Sequence, residues 1–230
     1  MHESIKVLDH GLIRLVDSMG SDLSIVRNAR VSYNAEWRAG EDSGSDARLI
    51  NYLYKNGHNT PFESVEVVIE VKAPIFVFRQ WHRHRTQSYN EVSARYTELP
   101  EEFYVPEVEQ ITTQSTDNKQ MRTCEQHPEA HRHRLDIMNA NAASFAVYKN
   151  LINGGCPREL ARSVLPVGTY SHMFAKGNLN NWFRFLAERL HPHAQYEIRV
   201  YAEALLGIIE GIAPIATKAF KESIKTTLNE

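Results

Sequence analysis

The chain has 230 residues, with 26 Lys+Arg against 28 Asp+Glu (formal net charge -2), 42% hydrophobic residues, 10% aromatic residues and two cysteines. This is ordinary globular composition, long enough for one large domain, and it excludes disorder, a low-complexity scaffold and a disulfide-stapled secreted fold. The opening MHESIKVLDH has no apolar leader core and no apolar run reaches the roughly 18 residues read as a bilayer span, so a cytoplasmic protein without membrane association is expected; near-neutral charge means that any anion binding must be local.

In chain order, Ile5, Val7, Leu12, Ile13 and Leu15 flank Asp9-His10-Gly11, which predicts a β-hairpin. Ser21 is placed to cap a helix carrying Leu23, Val26 and Ala29. Ser45 or Asp46 is placed to cap a second, with Leu49, Ile50, Leu53 and Tyr54 as its apolar stripe and Gly57 at its end. The polar stretch between them, 35–46, reads as a mobile surface loop. Residues 64–73, SVEVVIEVKA, alternate and are β-branched, the clearest strand in the chain. Pro74 suits the start of a helix, and Ile75, Phe76, Phe78 and Trp81 make that helix too apolar to be exposed.

Residues 83–96 have no sustained period and are expected to form an ordered loop, and 106–128 a flexible excursion. A helix follows to Ile152, with Leu135, Met138, Ala142, Phe145 and Tyr148 or Lys149 spaced for one face and Gly154-Gly155 closing it. Pro157 opens a short helix to Leu165, residues 169–175 suit a strand, and Asn178 is placed to cap a helix through Leu190. Two last helices are expected, over 194–210 and from Pro214. No internal repeat or domain boundary is visible. The expected class is α+β: a single domain over 1–230 with a central mixed or antiparallel sheet flanked by helices.

Charge is not evenly spread. Between Arg79 and Arg95 lie Arg79, Arg83, Arg85 and Arg95 with His82 and His84, against one acid, Glu91. The planar guanidinium fork binds phosphate bidentately, and Ser88, Asn90 and Ser93 add neutral hydrogen-bonding groups, so the segment suits a nucleotide-like anion. Arginines paired to acids elsewhere would be the plain structural alternative. The clustering of Arg, His, Ser, Asn and Glu directly after an apolar helix favours a site.

The run RHRTQSYNEVSARY resembles the signature of the flavin-dependent thymidylate synthases, with Arg83, His84, Arg85, Ser88, Glu91, Ser93, Arg95 and Tyr96 at every fixed position. ARVSY (29–33), GHNTPFE (57–63) and the pair GCPRELARSVLP with RLHPHAQYEIR are similar to further segments of that family and occur in the same order. The resemblance implies a non-Rossmann fold assembling as a homotetramer with flavin at subunit interfaces. It implies reductive methylation of dUMP to dTMP, with 5,10-methylenetetrahydrofolate as carbon donor, FAD as hydride carrier, NADPH as reductant and no covalent enzyme nucleophile. The lack of a Gly-x-Gly-x-x-Gly turn is compatible with that mode of flavin binding.

By matching motif positions, the resemblance assigns the flavin to Ser32, Thr60, Glu63, Arg83, His84, Arg85, Asn90, Glu91, Asn178 and His193. It assigns dUMP to Gln80, Arg83, Glu91, Ser93, Arg95, Tyr96, Arg162 and Arg189, with Arg95 and Arg162 meeting phosphate. Arg189 and His58 are the implied catalytic residues, Arg189 near the pyrimidine carbonyl and His58, with Tyr96, bordering the folate or pyrimidine face. Asn180 and Arg184 stand where other members often differ, so adenosine contacts are not carried over, and Glu188 sets an acid beside Arg189.

Cys124 falls in the polar excursion. Cys156 precedes Pro157, where a helix N-terminus would lower a thiol pKa, but a capping or buried cysteine is the commoner case. His82-x-His84, His127-x3-His131-x-His133 and His191-x-His193 lack a complete ligand set, so no metal is expected. The competing class is a single-strand nucleic-acid module in which Trp81, Tyr89 and Tyr96 stack bases among the arginines of 79–96. Neutral overall charge argues against it, and no nucleic-acid partner is expected.

Overall fold

The computed structural model describes residues 3–228, with side chains to residue 225. Strands β1 (Ile5–Val7) and β2 (Gly11–Met19) form the expected hairpin, followed by α1 (Asp22–Arg30), α2 (Ser43–Lys55), β3 (Glu66–Pro74), α3 (Ile75–Trp81) and β4 (Ser88–Glu91). Next come β5 (Thr112–Gln114), β6 (Arg122–Gln126), α4 (Ala130–Asn153), α5 (Arg158–Ala161), β7 (Tyr170–Asn178), α6 (Leu179–Arg189), α7 (Tyr196–Ile212) and α8 (Pro214–Leu228). The main sheet has the order β1-β2-β3-β7-β4, and every pairing is antiparallel. The α+β class with an antiparallel sheet is therefore the observed one.

Strand alternation divides the sheet. Val67, Ile69, Val71 and Ala73 of β3, Met173 and Ala175 of β7 and Ile13 of β2 join one hydrophobic cluster with Phe183, Phe185 and Leu186 of α6, Ile198, Tyr201 and Leu205 of α7 and Phe220 of α8. The other face carries Glu70, ion-paired to Arg14 and hydrogen-bonded to His172, with Phe174 exposed. At Gly11 a Cβ would lie 2.0 Å from the Tyr201 hydroxyl, so the β2 backbone can approach α7 only as glycine. Gly57, at φ 69°, ends α2 in the left-handed conformation and turns the chain toward His58.

Several expectations change. The cap of α2 is Asp42, whose side chain accepts from the Gly44 and Ser45 amides; Asp46 is instead buried against Arg30 at 2.7 Å. In α1 the inward residues are Ile25 and Val26, while Leu23 is exposed. Residues 88–91 form a strand rather than a loop, because β7 offers an unpaired edge to which the polar Ser-Tyr-Asn-Glu run adds through backbone hydrogen bonds. Residues 106–128 hold a helical turn at 108–110 and the ribbon β5–β6 rather than an irregular excursion. In α4 the predicted apolar face is mostly uncovered: Tyr148 is buried and Phe145 half-buried, but Leu135 and Met138 are exposed. Cys156 lies just outside the cap of α5, which is Pro157.

Candidate active site

The residues of 79–96 divide between a cavity and a separate recess. The cavity, of about 400 Å³, has Ile75, Phe78, Leu99 and Leu165 as apolar walls and Arg79, His82, Glu91, Ser93, Arg162 and Ser171 as its polar groups. An apolar wall with a few convergent donors and cations is what a phosphorylated heterocycle requires. Glu91 is held in place by the Ser171 hydroxyl, which donates to its Oε1 at 2.6 Å. Arg95 stands nearby, paired to Glu159 of α5 at 3.6 Å, one turn before Arg162. The pairing of β4 with β7 explains this convergence, since it lays Glu91 beside Met173 and within reach of Ser171.

In the recess, Arg83, His84, Arg85 and Thr86 meet Asn181, Arg184 and Glu188 of α6. His84 Nε2 accepts a hydrogen bond from Arg189 Nε at 3.0 Å, and Arg189 Nη2 donates to the Gln80 backbone oxygen at 3.3 Å. Accepting at Nε2 requires a neutral imidazole with its proton on Nδ1. Burial pushes the His84 pKa down and the neighbouring guanidinium pushes it further, so this state is electrostatically enforced. Glu188 is 3.8 Å from both His84 and Arg189 and is mostly exposed, a weak partner to each. Burial likewise raises Tyr89 to about 12, keeping its hydroxyl protonated to donate to the His84 carbonyl at 2.7 Å.

The other assigned residues lie apart. Ser32 is in the helical turn 31–33 after α1, while Thr60 and Glu63 are in the turn 60–64, against which α1 packs. His58 is exposed and meets Tyr52 edge-on at 5.9 Å. Asn178 caps α6, its Oδ1 accepting from the Asn181 amide at 2.9 Å. Alternation along β4 sends Asn90 to the sheet face of Phe174, away from Glu91. His193 is exposed beside His191, and Tyr96 is 81% exposed. One chain thus gathers Glu91, Ser93 and Arg162 in one cavity and Gln80, His84 and Arg189 in one cluster, but not the full flavin set.

Arg79, His82 and Ser171 line the cavity, and the sequence reading assigns none of them a binding or catalytic role. Arg79 and His82 belong to the visible basic cluster; Ser171 carries no local signal, because its meeting with Glu91 depends on strand pairing across 80 residues. Trp81 is fully buried and Tyr89 is half-buried with its hydroxyl engaged, so two of the three rings invoked for base stacking are turned into the fold. Among the described residues, no group of three or more His, Cys, Asp or Glu is arranged to hold a metal ion, and no helix is long and apolar enough to cross a membrane.

A cavity lined by cations, a carboxylate and a serine, with a guanidinium bonded to a neutral histidine close by in the chain, has the chemistry that suits a nucleotide-handling enzyme on an antiparallel-sheet scaffold. Residues 14–215 match the family model described as thymidylate synthase complementing protein. The chain is 43% identical to the flavin-dependent thymidylate synthase of Rickettsia bellii over 96% of its length and 79% of the relative's. It is 45% identical to that of Wolbachia pipientis, over 96% and 78%. A crystal structure of the UMP/dUMP methylase PolB from Streptomyces cacaoi, bound with 5-Br dUMP, superposes with a TM-score of 0.85 at 35% identity, over 95% of this chain and 97% of that one. The chain belongs to the flavin-dependent thymidylate synthase family.

Proposed function

We propose that this chain reductively methylates dUMP to dTMP, with FAD as its redox cofactor, 5,10-methylenetetrahydrofolate as carbon donor and NADPH as reductant. The observation that carries the reading is the convergence of Glu91, Ser93 and Arg162 on one apolar-walled cavity next to the Arg83-His84-Arg85 recess. Arg162 and Arg95 hold the nucleotide phosphate, Ser93 donates to it, and Glu91, fixed by Ser171, accepts from the nucleotide. Arg189, kept in place by neutral His84, faces the pyrimidine and would stabilise negative charge on its carbonyl, the charge that makes the ring carbon nucleophilic toward the methylene group. His58 and Tyr96, both exposed, border the folate.

The donor set fits a flavin dinucleotide. Arg83, Arg85 and Arg184 surround the recess with Glu188 as its one acid, which favours a diphosphate, and Asn181 adds an amide. Bound there, FAD supplies hydride transfer, which removes the need for a thiol nucleophile. In keeping with this, neither Cys124 nor Cys156 lines the cavity that holds Glu91 and Ser93. Ser32, Thr60, Glu63, Asn90, Asn178 and His193 line neither the cavity nor the recess of one chain, which supports sites completed between copies in a homotetramer. The exposed Leu135 and Met138, one turn apart on α4, give such an assembly an apolar surface to bury. Cytoplasmic location is part of the same proposal and rests on the sequence reading.

The test is the visible spectrum of the purified protein together with proton release from C5 of dUMP. A flavin spectrum, and release that depends on folate and NADPH, are expected. A colourless protein that cannot be reconstituted with FAD and releases no proton would overturn the reading.

A further inference from the structure

Glu197, in the first turn of α7, is 3% exposed yet carries a carboxylate with every oxygen engaged. Its Oε1 accepts from Arg122 Nη2 at 3.0 Å and from the Tyr104 hydroxyl at 3.1 Å, and its Oε2 accepts from Gln195 Nε2 at 2.8 Å. Burial and the adjoining carboxylate push the Tyr104 pKa upward, so that hydroxyl remains a donor. Arg122 comes from β6 and also stacks over the Tyr196 ring at 5.5 Å, which fastens the β5–β6 ribbon to the start of α7.

A carboxylate only accepts, whereas the two ends of a glutamine amide are nearly equal in shape and opposite in polarity. Glu197 therefore commits the Gln195 nitrogen to itself and leaves the Gln195 oxygen facing outward. That oxygen accepts from Gln80 Nε2 at 2.5 Å. The polarity of Gln80 is decided in turn: one N–H is spent on Gln195, and its carbonyl oxygen and second N–H are left at set positions. Gln80 also sits at the Arg189 end of the site, since its backbone oxygen accepts from Arg189.

We infer that Glu197 is a positioning residue that acts through Gln195 to set the amide polarity of Gln80, and that Arg122 of the ribbon is the outer anchor of this relay. The ligand is a pyrimidine nucleotide, whose hydroxyl, imide and carbonyl groups need donors and acceptors in fixed places. The inference rests on the reading of Gln80 as a dUMP contact. With Glu197 neutralised to an amide, both orientations of Gln195 become satisfiable and Gln80 presents the wrong end part of the time.

The experiment measures KM for dUMP, kcat, flavin content and melting temperature for the holoenzyme and for Glu197→Gln, Gln195→Ala and Gln80→Ala, singly and with each of the first two combined with the third. Glu197→Gln and Gln195→Ala are each expected to raise KM about tenfold with kcat within about twofold, the scale of one mis-set hydrogen bond. Neither is expected to add to the KM of Gln80→Ala, because a relay has nothing to act on once its end is removed. Gln195 is exposed, so its alanine variant keeps the test open if Glu197→Gln fails to fold. Effects that multiply with Gln80→Ala, or an unchanged KM with only a lower melting temperature, would make Glu197 a structural anchor and overturn the relay. A Gln80→Ala enzyme with unchanged KM would instead remove the Gln80 contact itself.

Discussion

Arg95→Ala separates phosphate binding from fold stability, and the structure sets both magnitudes. Arg95 and Glu159 are 3.6 Å apart with side chains 53% and 58% exposed. An ion pair that open to water is worth about 0–1 kcal/mol, so the melting temperature should scarcely change. If Arg95 donates to the dUMP phosphate, its loss removes a charge-assisted hydrogen bond worth about 1.5–3 kcal/mol, which is about tenfold to 150-fold in dUMP affinity. Calorimetric titration of the flavin-loaded enzyme with dUMP, alongside flavin content from the visible spectrum, reads both quantities. Glu159→Gln is the companion variant: it frees Arg95 from a competing carboxylate and should leave dUMP binding as tight as before or tighter. Arg95→Ala with undiminished dUMP affinity, or with dUMP and flavin lost in equal measure, would refute the assignment of the loop.

Acidification should disable the site through His84, whose folded pKa lies below its ordinary 6.5. As pH falls from about 6.5 through that lowered value the unfolded chain takes the proton first, so stability falls over that window and is intact above it. Protonation of Nε2 also ejects Arg189, so turnover should drop reversibly around the lowered folded pKa, at the acid end of that window, and His84→Gln should abolish that limb of the pH–rate profile. Asn178→Ala should cost about 1 kcal/mol in a denaturant melt through loss of the α6 cap; flavin loss far beyond that destabilisation would give Asn178 a direct contact as well. Leu135→Glu with Met138→Glu on α4 should lower the assembly mass seen by light scattering and reduce flavin content together. Retention of a tetramer would exclude this face from the subunit contacts.

Much of the candidate site was legible because its chemistry is concentrated. Eight polar positions between Arg83 and Tyr96 define a motif, and cap signals such as Ser21, Asn178 and Gly57 act over a few residues, so local sequence contains their physics. The strand at 88–91 was not legible. Ser-Tyr-Asn-Glu has little intrinsic strand preference and pairs only because the edge of β7 is open to it. The ribbon at 112–126 was hidden for a similar reason: its polar residues have no period, and it is anchored through Arg122 to Glu197, 75 residues away.

The sequence by itself determined the α+β class, the basic cluster and the family. Each is a property of residue types at short spacing, where periodicity, capping and charge act without reference to the rest of the chain. Tertiary structure alone decided which of those residues meet. It divided the motif between a cavity and a separate recess, gave Glu91 its Ser171 and His84 its Arg189, and turned Trp81 inward. Those contacts depend on antiparallel register and on helix docking across 80 and 105 residues, and no local spacing encodes distances of that kind.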